Sequence, residues 1–221
     1  MKNIFCLLVS ITACVFGGQS CTKHSPPVYP DNRISVPQVL SDYGYFKVGS
    51  FWVYQDSASL ALDSVYITSA KEGTFTTAPS NSQPYHGYFG YFNTYTQSVY
   101  EGRQFHYSVN TENTFNGHSD LVEDEYINPS SNAETYLMTD YFVVGKPDPD
   151  GGYPVAYENL YDSLKVLNYY FKNAMLFHDG KNQTQNNSAT NYYLAKNIGI
   201  IRKEILTPYT IWNLVRYHIV Q

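Results

Sequence analysis

The residues able to do chemistry are few and widely spaced. Six histidines, His24, His86, His106, His118, His178 and His218, include no pair at i, i+2 or i, i+4 and no HExxH. Those are the spacings that bring two imidazoles to one metal from a single strand or helix. His106, His118 and Asp120 form one composite metal set on paper, but scattered surface histidines are the simpler reading, and no metal site is assigned. The Asp148-x-Asp150-x-Gly152 stretch has the first ligands of a calcium loop, yet lacks the continuation to a bidentate glutamate. Glu123 and Glu125 share a strand face, as a glycosidase carboxylate pair would, without any sign of the required spacing. No GxSxG elbow and no glycine-rich phosphate cradle occurs. A Ser-His-Asp triad drawn from distant residues leaves no motif, so a motif-free hydrolase stays as an alternative. No catalytic residue and no cofactor is assigned.

Aromatic side chains are the more suggestive set. Between Tyr85 and Tyr95, residues 85, 89, 91 and 95 share one strand parity, while Tyr88 and Phe92 take the other. A strand aromatic on both faces is either buried between layers or lines a cavity, and Gly87 and Gly90 would let a flat sugar or an acyl chain approach the backbone. Tyr85, Phe89 and Tyr91, with Trp52, are therefore the candidate ligand-binding residues. Core packing is the competing explanation for each.

Cysteine usage points to an address. All three cysteines lie in the first 21 residues, so the rest of the chain has no disulfide and no thiol chemistry. Lys2 followed by the apolar run 4–16 has the layout of a signal peptide. Thirteen residues reach only about 20 Å as a helix, short of the ~30 Å hydrocarbon core. The segment resembles a bacterial lipoprotein signal, in which the residue after the cut is a lipidated cysteine. Ile11-Thr12-Ala13-Cys14 fits the usual residue types better but leaves an unusually short signal. Gly18-Gln19-Ser20-Cys21 stands at a normal distance and leads into polar Thr22-Lys23-His24. Cys21 is taken as the lipidation site, residues 1–20 as signal peptide, and the membrane as a partner through that lipid. Thr22 in place of aspartate favours, by resemblance to Gram-negative sorting, the outer membrane. The periplasmic face is preferred to the cell surface because no acidic cluster follows.

The elements that would carry such a domain follow from composition. Residues 21–37 read as a lipid-anchored, proline-rich tether, with Pro26, Pro27, Pro30 and Pro37 favouring extended geometry. Residues 38–221 suit one domain. Without residues 1–21 the chain has 13 basic and 19 acidic side chains, a balance that argues against nucleic acid as partner. Glu123-Asp124-Glu125 reads as a solvated loop or strand edge. Tyrosine, 23 residues of the chain, and threonine favour pleated strands over helix. Strand-like runs recur at 51–54, 63–68, 85–96, 104–109, 139–144, 163–166, 169–177, 192–195, 198–206 and 210–220. In the last run Ile211, Val215, Tyr217 and Ile219 would share a face. Loops are expected at 148–154 and 180–190 and a hairpin corner at Lys196-Asn197. Short helices are placed at 37–43 and 157–164. The fold class predicted is all-β: an antiparallel curved sheet, either a half-barrel or a sandwich.

Two stretches carry a family resemblance. Residues 45–56 (YFKVGSFWVYQD) with Asp63-Ser64-Val65-Tyr66, and residues 197–204 (NIGIIRKE) with 212–217 (WNLVRY), look like the start and end of a group of uncharacterised Bacteroidota lipoproteins. The resemblance implies an exported all-β domain similar to lipoprotein carriers and brings no catalytic residues. The functional expectation is a non-enzymatic, lipid-anchored envelope domain that binds an apolar or sugar-like ligand. A structural or assembly subunit docking to an outer-membrane complex is the alternative.

Overall fold

The computed structural model describes residues 28–80, 84–100, 102–111, 120–128, 131–139, 146–147, 155–179 and 189–220. The signal segment, Cys21 and the expected loop at 148–154 lie outside them. Strand β1 (Asp31–Ile34) and helix α1 (Gln38–Gly44) precede β2 (Phe51–Asp56), β3 (Leu62–Thr77), β4 (His86–Ser98), β5 (Gln104–Asn110), β6 (Asp120–Asn128) and β7 (Ser131–Thr139). After these come β8 (Lys146–Pro147), β9 (Val155–Val166), β10 (Tyr169–Asp179), β11 (Thr190–Ala195), β12 (Gly199–Leu206) and β13 (Tyr209–His218). Together they form one sheet of 13 strands ordered β7-β6-β5-β4-β3-β2-β13-β12-β11-β10-β9-β8, with β1 beside β4. The order has two ends, so the sheet is open rather than a closed barrel.

Two antiparallel meanders, β2 to β7 and β8 to β13, meet where β2 pairs with β13. The two outer strands β7 and β8 are consecutive in sequence, and this forces the sheet to curl. Thr139 and Lys146 are joined by a chain that spans at most about 25 Å. In a flat sheet the same strands would stand roughly 50 Å apart at ordinary inter-strand spacing. Accordingly, β7 comes within 8 Å, Cα to Cα, of β9 and β10.

The expected helix at 37–43 is α1. Leu40, Tyr43 and Gly44 are its buried face, at i, i+3 and i+4. The chain reaches it by crossing β4 at Gly90, where a Cβ would lie 2.8 Å from the backbone nitrogen of Val36. Thr111 fixes that crossing, its hydroxyl donating to the carbonyls of Ile34 and Gly90 at 3.1 and 3.0 Å. Within the hairpin corner at Lys196-Asn197, the amide of Asn197 donates to the carbonyl of Asp42, and Lys196 pairs with the Asp42 carboxylate at 2.9 Å. Gly199 takes φ +86° there, in contact range of the Phe46 ring. The helix is thereby held inside the curl, against β5, β6 and β12.

Four expectations are corrected. Residues 157–164 form strand β9 rather than a helix, because they pair along β10 and bury Tyr157 against Phe177. Glu123-Asp124-Glu125 is no loop or edge: it lies in β6, paired to β5 on one side and β7 on the other. Asp31–Ile34, inside the stretch read as tether, pairs in parallel with β4, and the compact unit runs Asp31–Gln221. In β13, Ile211 and Tyr217 do not share a face. A bulge between Leu214 and Arg216 reverses the alternation, so Ile211 pairs with Glu204 while Tyr217 pairs with Trp52. Leu214 is the core residue of that strand.

Two tyrosines, one buried and one half-buried, make the fold sensitive to alkali. The Tyr43 hydroxyl donates to the carbonyl of Asn173 at 2.9 Å, and burial, then the nearby Asp42 and Tyr157, push its pKa up to about 12. Burial and the adjacent Glu204 push Tyr193 up to about 12 as well. The folded chain keeps these protons where the unfolded chain, titrating near 10.0, has lost them. Their contribution is complete below pH 10 and is lost as pH rises toward 12. Urea midpoints taken between pH 9 and 12 should therefore fall more steeply for the parent chain than for Tyr43→Phe or Tyr193→Phe; equal slopes would contradict this.

Candidate functional site

Alternation turns one side chain in two toward the inside of the curl. Trp52 and Tyr54 from β2, Asp63, Val65 and Ile67 from β3, Thr94 and Thr96 from β4, and Phe105 and Tyr107 from β5 line one wall of an internal cavity. Leu194 from β11, Ile200, Lys203 and Ile205 from β12, and Trp212 from β13 line the opposite wall. Tyr43, Gly44, Phe46 and Leu121 close one end. The cavity has a volume of about 90 Å³. That is well above the minimum of roughly 10–15 Å³ that admits one water.

The closed end is formed by buried side chains. Tyr43, Phe46, Leu121 and Leu194 are all buried, whereas Lys203, Ile205 and Trp212 at the other end are half-exposed, so the cavity opens there. Three turns meet at this opening, and they carry exposed apolar side chains: Leu60, Val99 with Tyr100, and Tyr209. Asp63 ties the second turn down. Its carboxylate accepts from the Ser98 hydroxyl and, through Oδ1, from the Tyr100 amide. Tyr100 in turn meets Trp212 edge-on at 5.4 Å.

Few polar atoms face the cavity with bonding capacity to spare. The Trp52 indole N–H donates to the carbonyl of Ile198 at 2.6 Å, and the Tyr54 hydroxyl to that of Ile200 at 2.9 Å. Thr96 donates weakly to the Phe105 carbonyl. Thr94 is different: fully buried, its hydroxyl has no hydrogen-bond partner among the described residues. Among the described residues Lys203 is the one cation in the lining, and its Nζ stands 6.0 Å from the Phe105 ring centre and 5.5 Å from that of Tyr192. β5 and β12 are five strands apart in the sheet, so the first contact crosses the cavity.

Of the residues named from sequence, Trp52 lines this cavity. Phe89 and Tyr91 have the parity opposite to Thr94 and lie on the outer face of β4. There Phe89 packs on Phe75 at 5.6 Å, and the Tyr91 ring covers Gly73. Tyr85 is half-exposed at the start of that strand, away from the lining. The cavity-facing residues of β4 are the threonines between the aromatics. Sequence reasoning missed Lys203 and Thr94. A usable signal existed for Lys203, which shares the alternation of Ile201 and Ile205 and so places a charge on an otherwise apolar face.

The outer face of β10, β11 and β12 carries a polar ladder. His178 Nδ1 lies 2.7 Å from Asn191 Oδ1, and Asn191 donates to Glu204 at 3.1 Å, with Tyr193 and Arg202 on the same carboxylate. Glu204 is buried, and these donors satisfy it. His106 stacks on Tyr95 at 4.4 Å and contacts Asn93 on the outer face of β5. Neither histidine lines the cavity. Among the described residues no group of three or more His, Cys, Asp or Glu is placed to hold a metal. No helix among them is long and apolar enough to cross a membrane.

Fold and site define a cavity-bearing β domain: a curled open sheet with a helix inside one end. No protein-family model matches the chain, and no curated protein or solved structure is significantly similar to it.

Proposed function

We propose that this chain is a lipid-anchored carrier of the bacterial cell envelope, without catalytic activity, which holds a small apolar ligand in the cavity between β2–β5 and β11–β13. The observation that carries the reading is the cavity itself, apolar along most of its length and open at one end. The cysteine pattern at residues 14–21, the proline-rich stretch after it and the resemblance to Bacteroidota lipoproteins support the envelope address and the outer membrane as anchor. An apolar ligand is favoured over a sugar because the indole of Trp52 and the hydroxyl of Tyr54 already donate to backbone carbonyls. A sugar would bring more hydroxyls than Thr94 and Lys203 could pair in this otherwise apolar lining.

The test is isothermal titration of the chain with 1-octanol, using the Cys21→Ser form so that no acyl anchor competes. Burying seven methylenes at about 0.8 kcal/mol each sets a dissociation constant of about 0.1 mM as the scale expected. Thr94→Leu fills the cavity and removes the unpaired hydroxyl. It should weaken octanol binding at least tenfold while leaving the melting temperature equal or higher. Non-saturable heats, or a Thr94→Leu protein that binds as before, would defeat the carrier reading. A subunit that docks through a sheet edge would show that result.

A further inference from the structure

We infer that the ligand is an amphiphile with a single anionic head, a carboxylate or its equivalent, whose head group is anchored at Lys203 at the cavity mouth. This rests on the carrier reading and specifies what the carrier takes. Lys203 projects inward from β12 with Tyr192 on one neighbouring strand and Trp212 on the other. Among the described residues its ammonium has neither a carboxylate nor a hydrogen-bond acceptor, only the faces of Phe105 and Tyr192. Two neighbouring cations are treated otherwise. Arg202, one residue before it, is paired to Glu204, and Lys196 is paired to Asp42.

A half-buried ammonium among rings keeps attraction for an anion that full hydration would screen. The ring faces stabilise the cation without neutralising it, so its charge remains available to an incoming carboxylate. Asp63 does not supply the missing counter-charge. Its oxygens accept from Ser98 and Tyr100, and among the described residues it makes no ion pair with Lys203. One ammonium in the described lining balances one negative charge, so the head carries one.

Geometry sets the rest of the molecule. With the head at the mouth, the tail runs inward past Thr96 toward Thr94 and the closed end at Tyr43 and Leu121.

The experiment compares octanoate with 1-octanol at pH 7.5 in 50 mM salt, by titration calorimetry on the same Cys21→Ser chain, with and without Lys203→Met. Octanoate is expected to bind about tenfold tighter than octanol to the parent chain, the scale of one charge-assisted hydrogen bond. Lys203→Met should abolish that preference, and a cooperative urea transition for the variant reports that it is folded. Saturable octanol binding with octanoate no tighter, or a preference that survives Lys203→Met, overturns the anionic head and leaves the carrier intact. Failure of both ligands to bind overturns the carrier and the head group together. The parent-chain comparison stands without any variant.

Discussion

Trp52→Ala is expected to lower the free energy of unfolding by about 3–5 kcal/mol, the usual range for deleting a buried tryptophan. Trp52 is buried, meets Phe46 edge-on at 5.0 Å, and reaches over β13 to donate to Ile198 at 2.6 Å. One side chain thus joins β2, the segment after α1 and the β11–β12 turn. Alanine removes the packing and leaves a buried carbonyl without its donor. Trp52→Phe separates the two effects. It restores much of the ring and loses only the hydrogen bond, at about 1–3 kcal/mol. Urea unfolding measures both, and a loss under 1 kcal/mol for alanine would show that this ring does not hold the two meanders together.

The second large effect is expected at Leu40. Seven residues are too few for a helix to stand by itself, so α1 exists because its buried face is packed. Leu40 is fully buried in a cluster with Tyr43, Phe92, Val109 and Leu121. Leu40→Ala should cost about 2–5 kcal/mol and enlarge the closed end of the cavity. Its functional signature is a change in length preference: 1-decanol should gain on 1-octanol relative to the parent chain. Gln38→Ala, on the exposed side of the same helix, should change stability by no more than about 0.5 kcal/mol. An unaltered length preference with the full stability loss would show that the helix is not the end wall.

Much of the fold was legible because alternation and turn residues are local. Phe51-Trp52-Val53-Tyr54 reads directly as β2, and the Lys196-Asn197 corner as the turn before β12, where Asn197 takes φ 62°. Proline at 37 and the apolar spacing after it read as α1. Where the reading failed, pairing overrode local pattern. Residues 157–164 have helix-like spacing but become β9 through their hydrogen bonds to β10. In β13 a bulge reverses the face assignment, and nothing in the sequence marks it.

The candidate site was legible only in part. The density of aromatics in 85–95 drew attention to β4 correctly, but to the wrong parity. Phe89 and Tyr91 cover the outside, and Thr94 and Thr96 face in. Lys203 could be picked out as a charge on an apolar face. That its ammonium meets Phe105 could not, since the two are 98 residues apart and come together only through the curl.

By itself the sequence determined an all-β class, one of its two expected helices, at 37–43, and a cysteine-free body, all of which depend on residue type and short spacing. Only the tertiary structure decided that β2 pairs with β13, that one sheet curls instead of two stacking, and that the curl leaves a cavity with Lys203 at its mouth. The reason is physical. Contacts between residues 51–56 and 212–218 depend on how two distant meanders close on each other, and no local periodicity encodes that closure.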